Sequence, residues 1–174
     1  MEITTDVTLK GHDWRQALDV FSPFFPQNLQ PNYSIYVISM SIGIMYDKQK
    51  ECAGDETEED KDSRPSVPRT VLHPHNTDLD FLFQSAILTS SLVDFNEETR
   101  MELAFNPAST IQFNKIDFLT KFANFGVSKL LEQASNDPSE TMERIKTFLA
   151  STVEGYNYEI DSISDEDLGI DDLG

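Results

Sequence analysis

Apolar residues recur along most of this chain at intervals of three and four, the spacing that lines one face of an α-helix. Trp14, Ala17, Leu18 and Phe21 follow it from Asp13, until Pro23 and Pro26 end the run by removing backbone donors. Leu79, Leu82, Phe83, Ala86 and Ile87 follow it after Thr77, whose hydroxyl with Asp80 three residues on makes a cap-like start. A further helix is predicted from Asn96, with Glu97 and Glu98 in its first turn, Met101, Ala104 and Phe105 as its apolar side, and Pro107 as its stop. From Asn114, a long amphipathic helix carries Ile116, Leu119, Ala123, Gly126 and Leu130 in one stripe. Asp137, Pro138 and Glu140 mark the start of a last helix with Met142, Ile145, Phe148 and Leu149 on its buried face.

Two segments read differently. Residues 2 to 9, with Ile3, Val7 and Leu9 among threonines, suggest a short strand. Residues 33 to 46 fit both periods: Ile38, Met40, Ile42 and Ile44 alternate with small residues, while Ile35, Ile38, Ile42 and Met45 share a helical face. Length favours the helix, since fourteen residues is long for a strand, and Ser34, Ser39 and Ser41 would admit a close neighbour. The expected fold is mainly α, a single-domain bundle of five to six helices with a short N-terminal strand.

The polar pattern divides the chain. Residues 50 to 68 carry Glu51, Asp55, Glu56, Glu58, Glu59, Asp60 and Asp62, and their mutual repulsion predicts a solvated, mobile insert within a domain spanning residues 1 to 160. Residues 161 to 174 form an acidic, hydrophobic tail. Between Phe148 and Gly174 there are eight acids and no Lys or Arg, with Ile160, Ile163, Leu168, Ile170 and Leu173 interspersed. Such alternation suits a segment that docks apolar side chains into a groove rimmed by basic residues, or one that only solubilises. The tail residues assigned to a partner on this reading are Asp165, Glu166, Asp167, Leu168, Asp171, Asp172 and Leu173.

Charge narrows the partners. Thirteen Lys and Arg against thirty-one Asp and Glu give a net charge of -18, a field that repels phosphate backbones and anionic membranes and attracts basic proteins. Direct nucleic-acid binding and membrane binding are not expected. The lone Cys52 forms no intramolecular disulfide, and the N-terminal residues lack the features of a secretory signal, so a cytoplasmic protein is expected.

Candidate chemistry is sparse. His73 and His75 flank Pro74, but no Cys, His or carboxylate partner stands at a recognisable metal spacing, and a turn before the next helix explains them equally. Asp78 and Asp80 suit a solvated helix start as well as a cation. The chain has no nucleophile elbow, phosphate loop, dinucleotide fingerprint or zinc-protease helix. No enzyme activity, cofactor or metal is therefore expected. The most distinctive internal stretch is Phe122-Ala123-Asn124-Phe125-Gly126, where a helical Gly costs about 1 kcal/mol relative to Ala. Close helix packing over Gly126 would offset that cost; alternatively Asn124 and the bare backbone beside it belong to a partner-binding groove.

The segments IYVISMSIGIMYDKQKE, LDFLFQSAILTS and FLTKFANFGVSKLLEQ, in this order, resemble those of small helical proteins encoded beside bacterial DNA phosphorothioation (Dnd) systems. The matching positions are Gly43 with Lys48 and Lys50, and Ala123 to Gly126, with Phe125 where that family's turn has Gly. The likeness covers roughly residues 33 to 133, leaving the acidic tail outside it. It implies a non-catalytic accessory or regulatory component of a DNA-modification or phage-defence locus. The charge also admits an acidic DNA mimic that occupies the groove of a DNA-binding enzyme.

Overall fold

The structure, a computed structural model, describes residues 3 to 26 and 30 to 154. The elements run β1 (Val7–Thr8), α1 (His12–Phe21), α2 (Pro31–Tyr46), α3 (Glu58–Asp62), β2 (Ser66–Val67), α4 (Arg69–Leu72), α5 (Asn76–Thr89), α6 (Glu97–Phe105), α7 (Lys115–Leu131) and α8 (Pro138–Val153). Six of these helices have nine residues or more, and the mainly helical expectation holds. Short 3₁₀ turns follow α1 (Ser22–Phe24) and α4 (His73–His75).

The ambiguous segment is a helix, and its small residues explain why. Pro31 supplies the pre-set φ of a first turn, and Asp47 closes the last one in the left-handed region, its N–H bonded to the carbonyls of Gly43 and Ile44. Between them α2 crosses α7 at backbone contact. A Cβ on Gly43 would lie 2.1 Å from the carbonyl oxygen of Phe122, and one on Gly126 would lie 1.8 Å from that of Ser39. The helical glycine in α7 is thus explained by packing.

Around this crossing lie the other helices. The α1 helix packs on α2 and α7, α5 on α7, α6 on α5, and α8 on α2. Phe118 lies at the centre of an aromatic cluster, edge-on to Phe122 at 5.1 Å, to Phe113 at 5.3 Å and to Phe83 at 6.0 Å. Each such pair contributes about 0.5–1.5 kcal/mol beyond area burial.

Caps that depend on neighbours in sequence are found where the pattern puts them. Asn96, Asn114 and Asp137 each accept a bond from a first-turn amide, of Thr99, Asp117 and Ser139 respectively. The start expected at Thr77 is corrected. The chain is already turning from Arg69 through His75, so α5 begins at Asn76 and Thr77 lies inside it.

Residues 50 to 68, read from charge as a solvated loop, fold against α1 and β1. The Ala53 N–H donates to the Lys10 carbonyl at 2.9 Å and its carbonyl accepts from Asp13 N–H at 3.0 Å. That approach needs Gly11, which has φ +113° and would place a Cβ 2.0 Å from the Ala53 oxygen. Thr57 and Asp60 form a reciprocal capping box on α3. Val67 pairs antiparallel with Val7, and both are buried. A carboxylate repelled by its neighbours in sequence meets an α1 cation here: Asp60 lies 3.3 Å from an Arg15 nitrogen, with His12 Nδ1 3.5 Å away.

Candidate functional site

The predicted site residues separate. Asp165, Glu166, Asp167, Leu168, Asp171, Asp172 and Leu173 lie outside the described residues. Asn124, expected at a partner groove, is internal and only 2% exposed. Its Oδ1 accepts from Trp14 Nε1 at 2.8 Å, and its Nδ2 donates to the carbonyls of Lys50 and Glu51, each at 3.1 Å. One side chain therefore ties α1 and the turn after α2 to α7. Every polar atom of that amide is committed inside the molecule, and the backbone at Gly126 faces Ser39 rather than an open groove. One turn on, Ser128 Oγ donates to Asp13 at 2.6 Å and extends the same network.

The other candidates have structural surroundings. His75 stacks on Tyr33 with ring centroids 4.4 Å apart and lies 3.6 Å from Asp78. Among the described residues, no group of three or more His, Cys, Asp or Glu side chains is placed to hold a metal ion. Cys52 is half-buried, and burial together with the charge of Glu56 pushes its thiol pKa up, which disfavours the nucleophilic thiolate. No described helix is long and apolar enough to cross a membrane.

Charge at the surface is strongly one-sided because the cations are used internally. Arg15, Lys61, Arg64, Lys121, Lys129, Arg144 and Lys146 all pair with carboxylates. Arg100 donates to four backbone carbonyls, those of Ile87, Ser90, Val93 and Phe95, and so binds the α5–α6 connection. Asp60 is held down to about 2, first by the amide and hydroxyl of Thr57, then by His12 and Arg15. The Arg64 guanidinium, with Gly11 N–H, holds Glu56 below its usual range.

The α5–α6 hairpin carries the sharpest surface contrast. Residues 76 to 106 hold six carboxylates, Asp78, Asp80, Asp94, Glu97, Glu98 and Glu102, against the single base Arg100. Large apolar side chains stand among them: Phe81 is 67% exposed and Phe105 54%, with Leu92 and Met101 also in solvent. A hydrophobic surface set in carboxylates suits a partner that is apolar at its centre and basic at its rim.

A cleft of about 960 Å³ opens between the α4–α5 end and the connection from α6 to α7. Its walls carry Arg69, His73 and Lys115 with Asp80, over apolar Leu103, Ile111 and Phe113. Sequence reasoning missed this site, since Arg69 and Lys115 are isolated bases forty-six positions apart (115 less 69) with no local signal joining them. Comparison with protein families, with curated proteins and with solved structures gives no match for this chain.

Proposed function

We propose that the protein is a non-catalytic, cytoplasmic accessory or regulatory component of a bacterial DNA-modification or phage-defence system, and that it works by binding a basic protein partner. The observation that carries this reading is the internal commitment of the cations: seven of the thirteen Lys and Arg side chains pair with carboxylates, Arg100 serves backbone carbonyls, and the surplus acid faces outward. Such a field accelerates encounter with a basic surface and disfavours phosphate backbones. The exposed apolar residues of the α5–α6 hairpin support a protein as that partner, and the tail of residues 161 to 174 adds an acidic segment of the same character. The defence setting comes from the resemblance to Dnd-associated proteins.

The test is affinity capture from the native host with the whole chain and with a chain ending at Ser162, read by mass spectrometry. A basic DNA-processing protein retained by the whole chain and lost on truncation is the expected result. Capture that is equal for both chains would remove the tail from the interface.

An acidic DNA mimic is the second reading, favoured by the carboxylates of the hairpin, which belong to the folded surface rather than to the tail. It predicts that the chain ending at Ser162 still competes with DNA for the partner.

A further inference from the structure

The cleft lined by Arg69 and Lys115 sets two cations on walls that also carry one carboxylate, Asp80, while Asp6 accepts from the Arg69 backbone N–H at 2.8 Å. The Arg69 guanidinium reaches only the Thr4 carbonyl, at 3.5 Å. The Lys115 ammonium donates to the Leu103 carbonyl at 2.9 Å and lies 4.5 Å from the Phe83 ring centre. Neither forms an ion pair among the described residues. Both line the same cleft, as do the apolar Leu103, Ile111 and Phe113. Seven other Lys and Arg side chains pair with carboxylates, whereas the charges of Arg69 and Lys115 stay available to an anionic group.

Size and chemistry define the occupant. A cleft of about 960 Å³ accepts several residues of extended peptide, and its lining includes both cations and apolar side chains. The matching ligand carries carboxylates alternating with Leu or Ile. Such a segment exists in the chain itself: residues 155 to 174 hold seven acids and no base, with Leu168, Ile170 and Leu173 set among Asp165, Glu166, Asp167, Asp171 and Asp172. The ten residues from Glu154 to Ser164 span up to about 33–36 Å when extended, against a radius of gyration of about 15 Å for a folded body of this size.

We propose that this cleft is a peptide-binding site and that its occupant is the chain's own segment of residues 164 to 174, docked through its carboxylates on Arg69 and Lys115 and its aliphatic side chains on the cleft floor. This holds whether or not the protein serves a defence system, because it needs no partner. If the tail also engages a basic protein, the cleft competes with that protein for the same carboxylates.

The test uses the full chain alone. A nitroxide is attached at Ser164→Cys in a Cys52→Ser background, and amide signals are compared with the label oxidised and reduced. The expected result is loss of the Asn106, Ser109 and Lys115 signals. They should return in about 1 M salt, where screening shortens to about 3 Å. The same recovery is expected in Arg69→Gln/Lys115→Gln. Since those changes touch the fold, a second chain neutralises the tail instead, with Asp165, Asp167, Asp171 and Asp172 changed to Asn and Glu166 to Gln. Its signals should return as well. Retention of the cleft signals with the label oxidised, loss centred on Lys129 and Arg144, or loss that persists in both charge variants would overturn the proposal. Loss seen only between isotope-labelled and spin-labelled molecules in a mixture would overturn docking within one chain.

Discussion

Trp14 and Asn124, 110 positions apart in sequence, share a buried hydrogen bond of 2.8 Å from the indole nitrogen to the amide oxygen. A buried indole N–H without a partner carries its full desolvation cost, and the part-buried Lys50 and Glu51 carbonyls that the same amide serves carry a share of it. The amide therefore acts as a clamp on three segments, and its loss should be felt globally.

Asn124→Ala is expected to destabilise the protein by about 2–4 kcal/mol, the sum of orphaned polar groups and a small cavity. Asn124→Asp, nearly the same shape, should cost at least as much because it turns a two-donor group into an acceptor facing two carbonyls. Urea denaturation of both variants checks this. A change within about 0.5 kcal/mol, the range of ordinary surface substitutions, would show that the clamp contributes little.

Gly126→Ala separates packing from propensity by sign. Helix propensity alone predicts a gain of about 1 kcal/mol. The Ser39 carbonyl, 1.8 Å from where the new Cβ would stand, predicts a loss of about 2–3 kcal/mol through overpacking. Gly43→Ala should behave alike, since it meets the Phe122 backbone in the same crossing. Thermal unfolding of either variant decides the sign.

Arg100→Lys keeps the charge and loses the fork that reaches four carbonyls of the α5–α6 connection. A loss of about 2–3 kcal/mol is expected from bonds to a charged donor. Hydrogen exchange should quicken first in residues 90 to 96, ahead of α7. Uniform quickening across the chain would show that the connection has no local stability of its own.

Acid should loosen the strap formed by residues 50 to 68. Asp60 is held from 3.8 down to about 2, and Glu56 below 4.5. Folded values below unfolded ones mean that the unfolded chain takes up protons first as pH falls. Stability from both groups is present above about pH 4.5 and is lost as pH falls toward 2. Urea midpoints measured across that interval should decline, and Asp60→Asn should make the decline shallower. An unchanged slope in that variant would remove Asp60 from the acid response.

Sequence alone determined the parts of this protein whose causes lie within four residues of one another. The amphipathic stripes of α1, α5 and α7, the caps at Asn96, Asn114 and Asp137, and the prolines that end α1 and α6 all act through local backbone geometry and are found in place, whereas α8 buries Thr141, Phe148 and Thr152 and leaves Met142, read as part of its buried face, 42% exposed. The charge balance, which carries the functional reading, is a property of composition. Tertiary structure decided the rest. Residues 33 to 46 satisfied both periods until the Gly43 and Ser39 face met α7. The acidic segment from 50 to 68 repelled itself in sequence, and Arg15, more than forty positions away from Asp60, turned part of that repulsion into pairing. Asn124 was legible as unusual but not as internal, because its three partners come from segments 73 to 110 positions away. The Arg69–Lys115 cleft had no sequence signal, since two isolated bases become one site only when α4 and the start of α7 are brought to the same wall. Local forces act on neighbours in the chain and can be read there; neighbours made by folding exist only once the fold does.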